Sequence, residues 1–96
     1  MEQSAYRGKA RFFKSLSNEV RLRILDAIRD HPRCVNFIAE HVGFDQSTVS
    51  RRLGILRSAG IVEDRRDRNF ILYSLEMPCV MQVVSCAANA MNSGKG

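Results

Sequence analysis

The chain has 96 residues, which is one domain's worth of polypeptide and leaves no room for a second. Hydrophobic residues make up 45 % and charged residues 26 %, a globular composition that excludes a disordered chain and a collagen-like repeat. Fifteen Lys and Arg against ten Asp and Glu give a net charge of +5, and no uncharged apolar run reaches the ~18 residues of a membrane span. The opening stretch, residues 1–14, carries charge throughout and lacks the apolar centre of a signal peptide, so a cytoplasmic location is expected.

The positive charge is uneven in kind and place. Arg outnumbers Lys twelve to three, and fourteen of the fifteen basic residues fall within positions 1–68. The planar guanidinium matches phosphate and guanine edges, which makes nucleic acid the first partner to consider. The alternative is that the charge only keeps a small domain soluble.

Residues 4–16 read as a helix with Phe12, Phe13 and Leu16 on its inner side. Ser17 suits the N-cap of a second helix over residues 18–30, with Val20, Ile24, Ala27 and Ile28 on one stripe. Leu22 and Leu25 widen it to two enclosed faces, and His31-Pro32 ends it. An extended Cys34-Val35 leads into a short helix over 36–42, stopped by Gly43 in the left-handed region. Asp45 is a candidate N-cap for a helix over 46–59 that stops at Gly60. Two strands follow, 61–65 and 70–75, around a polar tip Arg66-Asp67-Arg68-Asn69. Pro78 fits the first turn of a last helix over 79–91. The expected unit is a single domain over residues 1–91, with residues 92–96 as a frayed tail.

Residues 36–60 have the form of a helix-turn-helix: a short helix, a turn containing glycine, then a longer helix. Val49, Leu53 and Leu56 recur at i, i+4 and i+7 and face inward; Ser47, Arg51, Gly54 and Ser58 lie opposite. In this motif the N-terminal end of the second helix reads base edges in the major groove. Gln46, Ser47, Thr48 and Ser50 offer side chains of suitable length there, and Arg51 and Arg52 can reach guanine or phosphate. For Ser47 and Thr48 the other reading is helix capping. Arg65, Arg66 and Arg68 stand on the hairpin that follows, where they either lie along DNA or simply solvate its edge. The order, helix-turn-helix then Arg-rich hairpin, is that of a winged helix. The expected fold is therefore mainly α with a small β-hairpin.

Four stretches resemble the ArsR/SmtB family of repressors: residues 13–25 (FKSLSNEVRLRIL), 45–53 (DQSTVSRRL), 56–62 (LRSAGIV), and the strand pair from Arg65-Arg66 to Tyr73-Ser74-Leu75. The resemblance spans roughly residues 12–75. It implies a homodimeric winged-helix repressor that leaves its operator when an inducer binds, with Gln46, Ser47, Thr48, Ser50 and Arg51 on the recognition helix. The wing tip departs from the family, carrying Arg68-Asn69 where glycine is frequent; Asn tolerates positive φ, so a hairpin is still expected.

Residues 77–94 carry no formal charge. Val80, Val83, Val84, Ala87, Ala88 and Met91 recur at helical spacing, and Cys79, Cys86 and Ala90 widen the apolar face. Such a helix needs a cover, and the same helix of a second copy about a two-fold axis supplies one. The expected interface comprises Cys79, Val80, Val83, Val84, Cys86, Ala87 and Met91. A dimer sets two recognition helices about 34 Å apart and predicts a palindromic operator.

The three cysteines, Cys34, Cys79 and Cys86, are odd in number and lack zinc-finger spacing. The last helix also lacks the His and carboxylates with which the family often holds zinc, so a borderline metal there is not expected. Cys79 and Cys86 are too far apart within one helix for a disulfide, but across an antiparallel pair they can meet. Cys34 stands where the family's arsenic, cadmium and lead sensors begin a Cys-x-Cys motif, whose second position here is Asn36. Three readings stay open: a thiolate site for arsenite or another soft ion acting as inducer, a redox or persulfide sensor, and small buried hydrophobes. No cofactor is required in any of them. An enzyme is not expected, since neither His31 nor His41 has an evident thiol partner.

Overall fold

The computed structural model describes residues 3–92. Its helices are α1 (Gln3–Leu16), α2 (Glu19–Ile28), α3 (Val35–Val42), α4 (Gln46–Ser58) and α5 (Val80–Ala90). Its strands are β1 (Arg33–Cys34), β2 (Val62–Asp67) and β3 (Phe70–Leu75). The expected frayed tail lies outside the described residues, apart from Asn92.

Local chemistry sets most boundaries. The cap of α2 is Asn18 rather than Ser17: the Asn18 side chain accepts the Arg21 N–H, whereas the Ser17 hydroxyl donates back to the Lys14 carbonyl. Serine's shorter side chain serves the end of α1 instead. Gly43 closes α3 at φ 82°, its N–H donating to the Ala39 carbonyl, as expected of a left-handed terminator. Gly60 does the same after α4 at φ 79°.

Two expectations for the strands change. β2 begins at Val62 and runs to Asp67, so Arg66 and Asp67 are ladder residues and the turn is only Arg68-Asn69. The positive φ of that turn falls on Arg68, at 61°, and not on Asn69. The extended piece at Arg33-Cys34 also pairs with Tyr73 and Leu72, making a three-stranded antiparallel sheet in the order β1-β3-β2. A two-residue strand has too little periodicity to announce its partner.

The core gathers one face of each central helix. Ile24, Leu25 and Ile28 of α2, Ile38 of α3, and Val49, Leu53 and Leu56 of α4 meet Ile61 and Val62 at the base of the hairpin. Full burial of each such side chain contributes roughly 1.5–3 kcal/mol. Leu25 belongs to this core, but Leu22 is exposed, so only one of the two extra positions expected on α2 is enclosed. On α1, Leu16 is buried and Phe12 packs at the edge of the core, but Phe13 points outward and is 55 % exposed. Its ring meets Phe12 edge-on instead.

Helix α5 stands apart from this core beyond its first turn. Of the whole of α5 only Val80 is buried, at 1 % exposure, while Val83 and Met91 are 44 % and 73 % exposed. Val80, expected at the interface, packs instead into the core of its own chain, because it sits at the first turn of α5, where the helix leaves the sheet. Among the described residues no helix is long and apolar enough to cross a membrane. The radius of gyration is 14.4 Å, against about 12.5 Å for a self-contained chain of this length. The excess fits a helix projecting from the core.

Candidate nucleic-acid interface

Helix α4 presents its N-terminal end to solvent. Asp45 caps it by accepting the Thr48 N–H at 3.1 Å, and the hydroxyls of Ser47 and Thr48 both donate to the same carboxylate, at 3.0 and 2.7 Å. These bonds favour the charged form and hold the Asp45 carboxyl down at about 2. Ser47 and Thr48 are thus neither caps nor free rotors. Their donors are committed to Asp45 while their oxygens remain acceptors.

Gln46, Ser47, Ser50 and Arg51 are exposed along one side of α4, and Thr48 is half-buried. Arg52 differs from its neighbour. It is half-buried, and its Nε is shielded from solvent without a hydrogen-bond partner among the described residues. It faces Arg21, whose pKa is lowered first by burial and then by the charge of Arg52. Of the residues expected at DNA, Arg52 is the one most engaged with the protein interior.

The wing is tied to α4 at two places. The chain turns at Gly60, and Ile61 N–H donates to the Leu56 carbonyl at 3.0 Å. Arg57 of α4 pairs with Asp64 of β2 at 3.1 Å, an exposed contact of roughly 0.2–1 kcal/mol. At the far end Arg65, Arg66 and Arg68 are all exposed. Register separates them: Arg66 lies opposite Ile71, on the same face as Val62 and Tyr73, whereas Arg65 lies opposite Leu72 on the other face. Phe70, opposite Asp67, is also exposed near the tip, an apolar group that the strand alternation does not single out.

The thiols are dispersed. Cys34 is half-buried at the N-terminal end of α3; Cys79 and Cys86 are exposed before and along α5. The helix begins at Val80, so Cys79 is its flanking residue rather than its first. Among the described residues no three His, Cys, Asp or Glu side chains converge on a metal-sized site. A neighbour missed from sequence is Arg29, which lines one shallow groove with Cys86, Gln82 and Ser85. Cys86 of α5 and Cys79 just before it are both exposed within one chain.

The comparisons with known proteins agree with this geometry. Residues 18–64 match the family described as bacterial regulatory protein, arsR family. An uncharacterized HTH-type transcriptional regulator of Mycobacterium tuberculosis, Rv0081, is 37 % identical over 90 % of this chain and 76 % of its own. Its crystal structure superposes with a TM-score of 0.84, covering 96 % of this chain and 93 % of that one at 34 % identity. The transcriptional repressor SdpR of Bacillus subtilis is 32 % identical over 85 % of this chain and 91 % of its own. A winged helix-turn-helix DNA-binding domain of Mycobacterium bovis, described as homodimeric, superposes with a TM-score of 0.81 at 30 % identity, covering 93 % of this chain and 82 % of that one. The core, the helix-turn-helix and the wing described above, together with these matches, establish that the chain belongs to the ArsR family of bacterial regulatory proteins, which are DNA-binding transcriptional regulators and not enzymes.

Proposed function

We propose that the protein is a homodimeric transcriptional repressor that places α4 in the major groove of a palindromic operator and its wing against the flanking backbone. The observation that carries this reading is that Gln46, Ser47, Ser50 and Arg51 on α4 and Arg65, Arg66 and Arg68 on the hairpin that follows it are all exposed. Gln46 and Arg51 have the reach for base edges, with Ser47, Thr48 and Ser50 as shorter contacts. Arg65, Arg66 and Arg68 supply phosphate or minor-groove contacts, and Arg52 reaches DNA only by leaving its half-buried position. The description of SdpR as a repressor supports the direction of regulation.

The dimer is supported by the uncovered face of α5 and by the homodimeric relative. Val83, Val84, Cys86, Ala87 and Met91, with Cys79 beside them, form the contact. In an antiparallel pairing, Cys79 of one protomer approaches Cys86 of the other, which provides a soft, thiolate-rich place for arsenite or a similar ion. Half-buried Cys34 lies on the sheet and is a third, separate candidate. A ligand at the interface changes the relative pose of the two α4 helices, and a differential affinity of a few kcal/mol empties the operator.

The test is fluorescence anisotropy of the reduced protein on the DNA upstream of its own gene, with and without arsenite. Release by arsenite that disappears in the Cys79→Ser, Cys86→Ser double variant is the expected result. Release that persists in that variant moves the inducer site away from α5. Tight binding that ignores arsenite but yields to persulfide or oxidant replaces metalloid sensing by thiol redox sensing.

A further inference from the structure

We propose that the cavity between α1 and α4 is an effector site for a small amphipathic organic acid, and that its occupant draws Arg51 away from DNA. This rests on the DNA-binding reading above and extends it to a second class of inducer. The cavity has a volume of about 500 Å³, inside the range of roughly 300–1,000 Å³ for small-molecule sites. Ile55 and Ala59 provide apolar wall, and Arg11, Lys14, Arg21 and Arg51 provide four cations. No carboxylate lines it among the described residues.

The cations are arranged in depth. Arg11, Lys14 and Arg51 are exposed at the rim, whereas Arg21 is 8 % exposed and lies deep. Arg21 donates its Nε to the Ser15 carbonyl at 2.6 Å and an Nη2 hydrogen to the Lys14 carbonyl at 3.3 Å. Those bonds hold the guanidinium in place without neutralising it. Among the described residues Arg21 has no carboxylate within ion-pair distance, and Arg52 adds a second positive charge beside it. A buried charge of this kind is strongly stabilised by an anion brought to it.

The shape discriminates between anions. Arg21, at 8 % exposure, is too covered for ready contact with a duplex phosphate, and the apolar walls give a phosphate nothing. A carboxylate on an aryl or alkyl body meets the cations with its head and Ile55 and Ala59 with its body. Arg51 belongs to both surfaces, so an acid paired with it competes with the operator for one side chain. That is the differential affinity a regulator needs.

The probes are 1-naphthoate and its uncharged counterpart 1-naphthalenemethanol, titrated calorimetrically into the full-length protein. Naphthoate is expected to bind with a Kd below about 1 mM, the alcohol not to bind, and the Arg11→Gln, Lys14→Gln double variant to bind naphthoate about tenfold more weakly. At a naphthoate concentration that saturates the wild type, affinity for the upstream DNA should fall by about tenfold in the wild type and by clearly less, no more than about twofold, in the double variant. Absence of naphthoate binding, equal binding of both probes, or binding that leaves DNA affinity intact overturns the proposal. So does a double variant whose unliganded DNA affinity drops together with its salt dependence, since the rim is then a phosphate contact. If the unliganded wild type binds no DNA, the parent reading fails instead, and calorimetry alone decides whether the acid site exists.

Discussion

Helices α4 and α5 are similar in length and opposite in fate. α4 carries arginines and serines on one side, yet Val49, Leu53 and Leu56 on the other are fully buried. α5 carries no formal charge, yet most of its apolar surface is in solvent, and its first turn, with Val80 buried and Met81 packed beside it, anchors it to the core. Burial follows from neighbours rather than from composition. α2 and α3 cross the inner face of α4, whereas α5 leaves the sheet and, among the described residues, buries no side chain beyond Val80. An apolar helix without cover marks an interface, and a polar helix with a buried stripe marks a display platform.

The contrast can be broken first at its stable end. Leu53→Ala should destabilise the fold by about 2–5 kcal/mol, because the site is fully enclosed and cannot collapse around the missing atoms. Urea unfolding measures this. Val83→Asp on α5 should leave the stability of the isolated chain within about 0.5 kcal/mol. The same change should convert a dimer to a monomer in sedimentation and weaken binding to a full operator by on the order of 100-fold through loss of bivalency. A Val83→Asp chain that remains dimeric shows that α5 is not the interface.

Smaller effects sharpen the display surface. Arg51→Ala should cost about 1–3 kcal/mol of DNA affinity and relax preference at one base position. Replacing Arg65, Arg66 and Arg68 together by Gln should weaken binding on all sequences and reduce the salt slope by about one for each phosphate no longer neutralised. If the slope is unchanged, the arginines only solvate the hairpin. The smallest effect concerns Asp45. Its folded pKa, about 2, lies below the ordinary 3.8, so the stability it adds is fully present above about pH 4 and is lost as pH falls through about 2. Asp45→Asn should flatten that acid limb while leaving stability near neutrality nearly unchanged, since Asn also caps helices.

Much of this is legible in the residues. The Val49, Leu53, Leu56 stripe, Gly43, Gly60 and the Asp45 cap each act through local rules of period, φ or capping, and each is in its expected place. The failures share a cause. Spacing alone gives Phe13 and Val80 a side, but which side of a terminal helix is covered depends on where that helix leaves the core. The pairing of Arg33-Cys34 with β3 is long-range and invisible to a period of two, whereas the opposite faces of Arg65 and Arg66 follow from that period once Arg66 is a strand residue rather than part of the tip. Arg52 reads as equivalent to Arg51 in sequence, although adjacent positions on a helix differ by about 100°, and only the packing of Arg21 shows which one turns inward. The acid-sized cavity has no sequence signature, since its cations come from α1, α2 and α4.

In the proposed repressor, α4 and the wing form one DNA-binding surface, presented twice by a dimer. Its most direct test is fluorescence anisotropy of the protein on its own upstream DNA across a salt series, read alongside the Arg65, Arg66, Arg68 variant. Wild-type affinity should fall steeply with salt, and the variant should show a shallower slope on the same DNA. Wild-type binding that is absent, or indifferent to salt, would contradict that assignment.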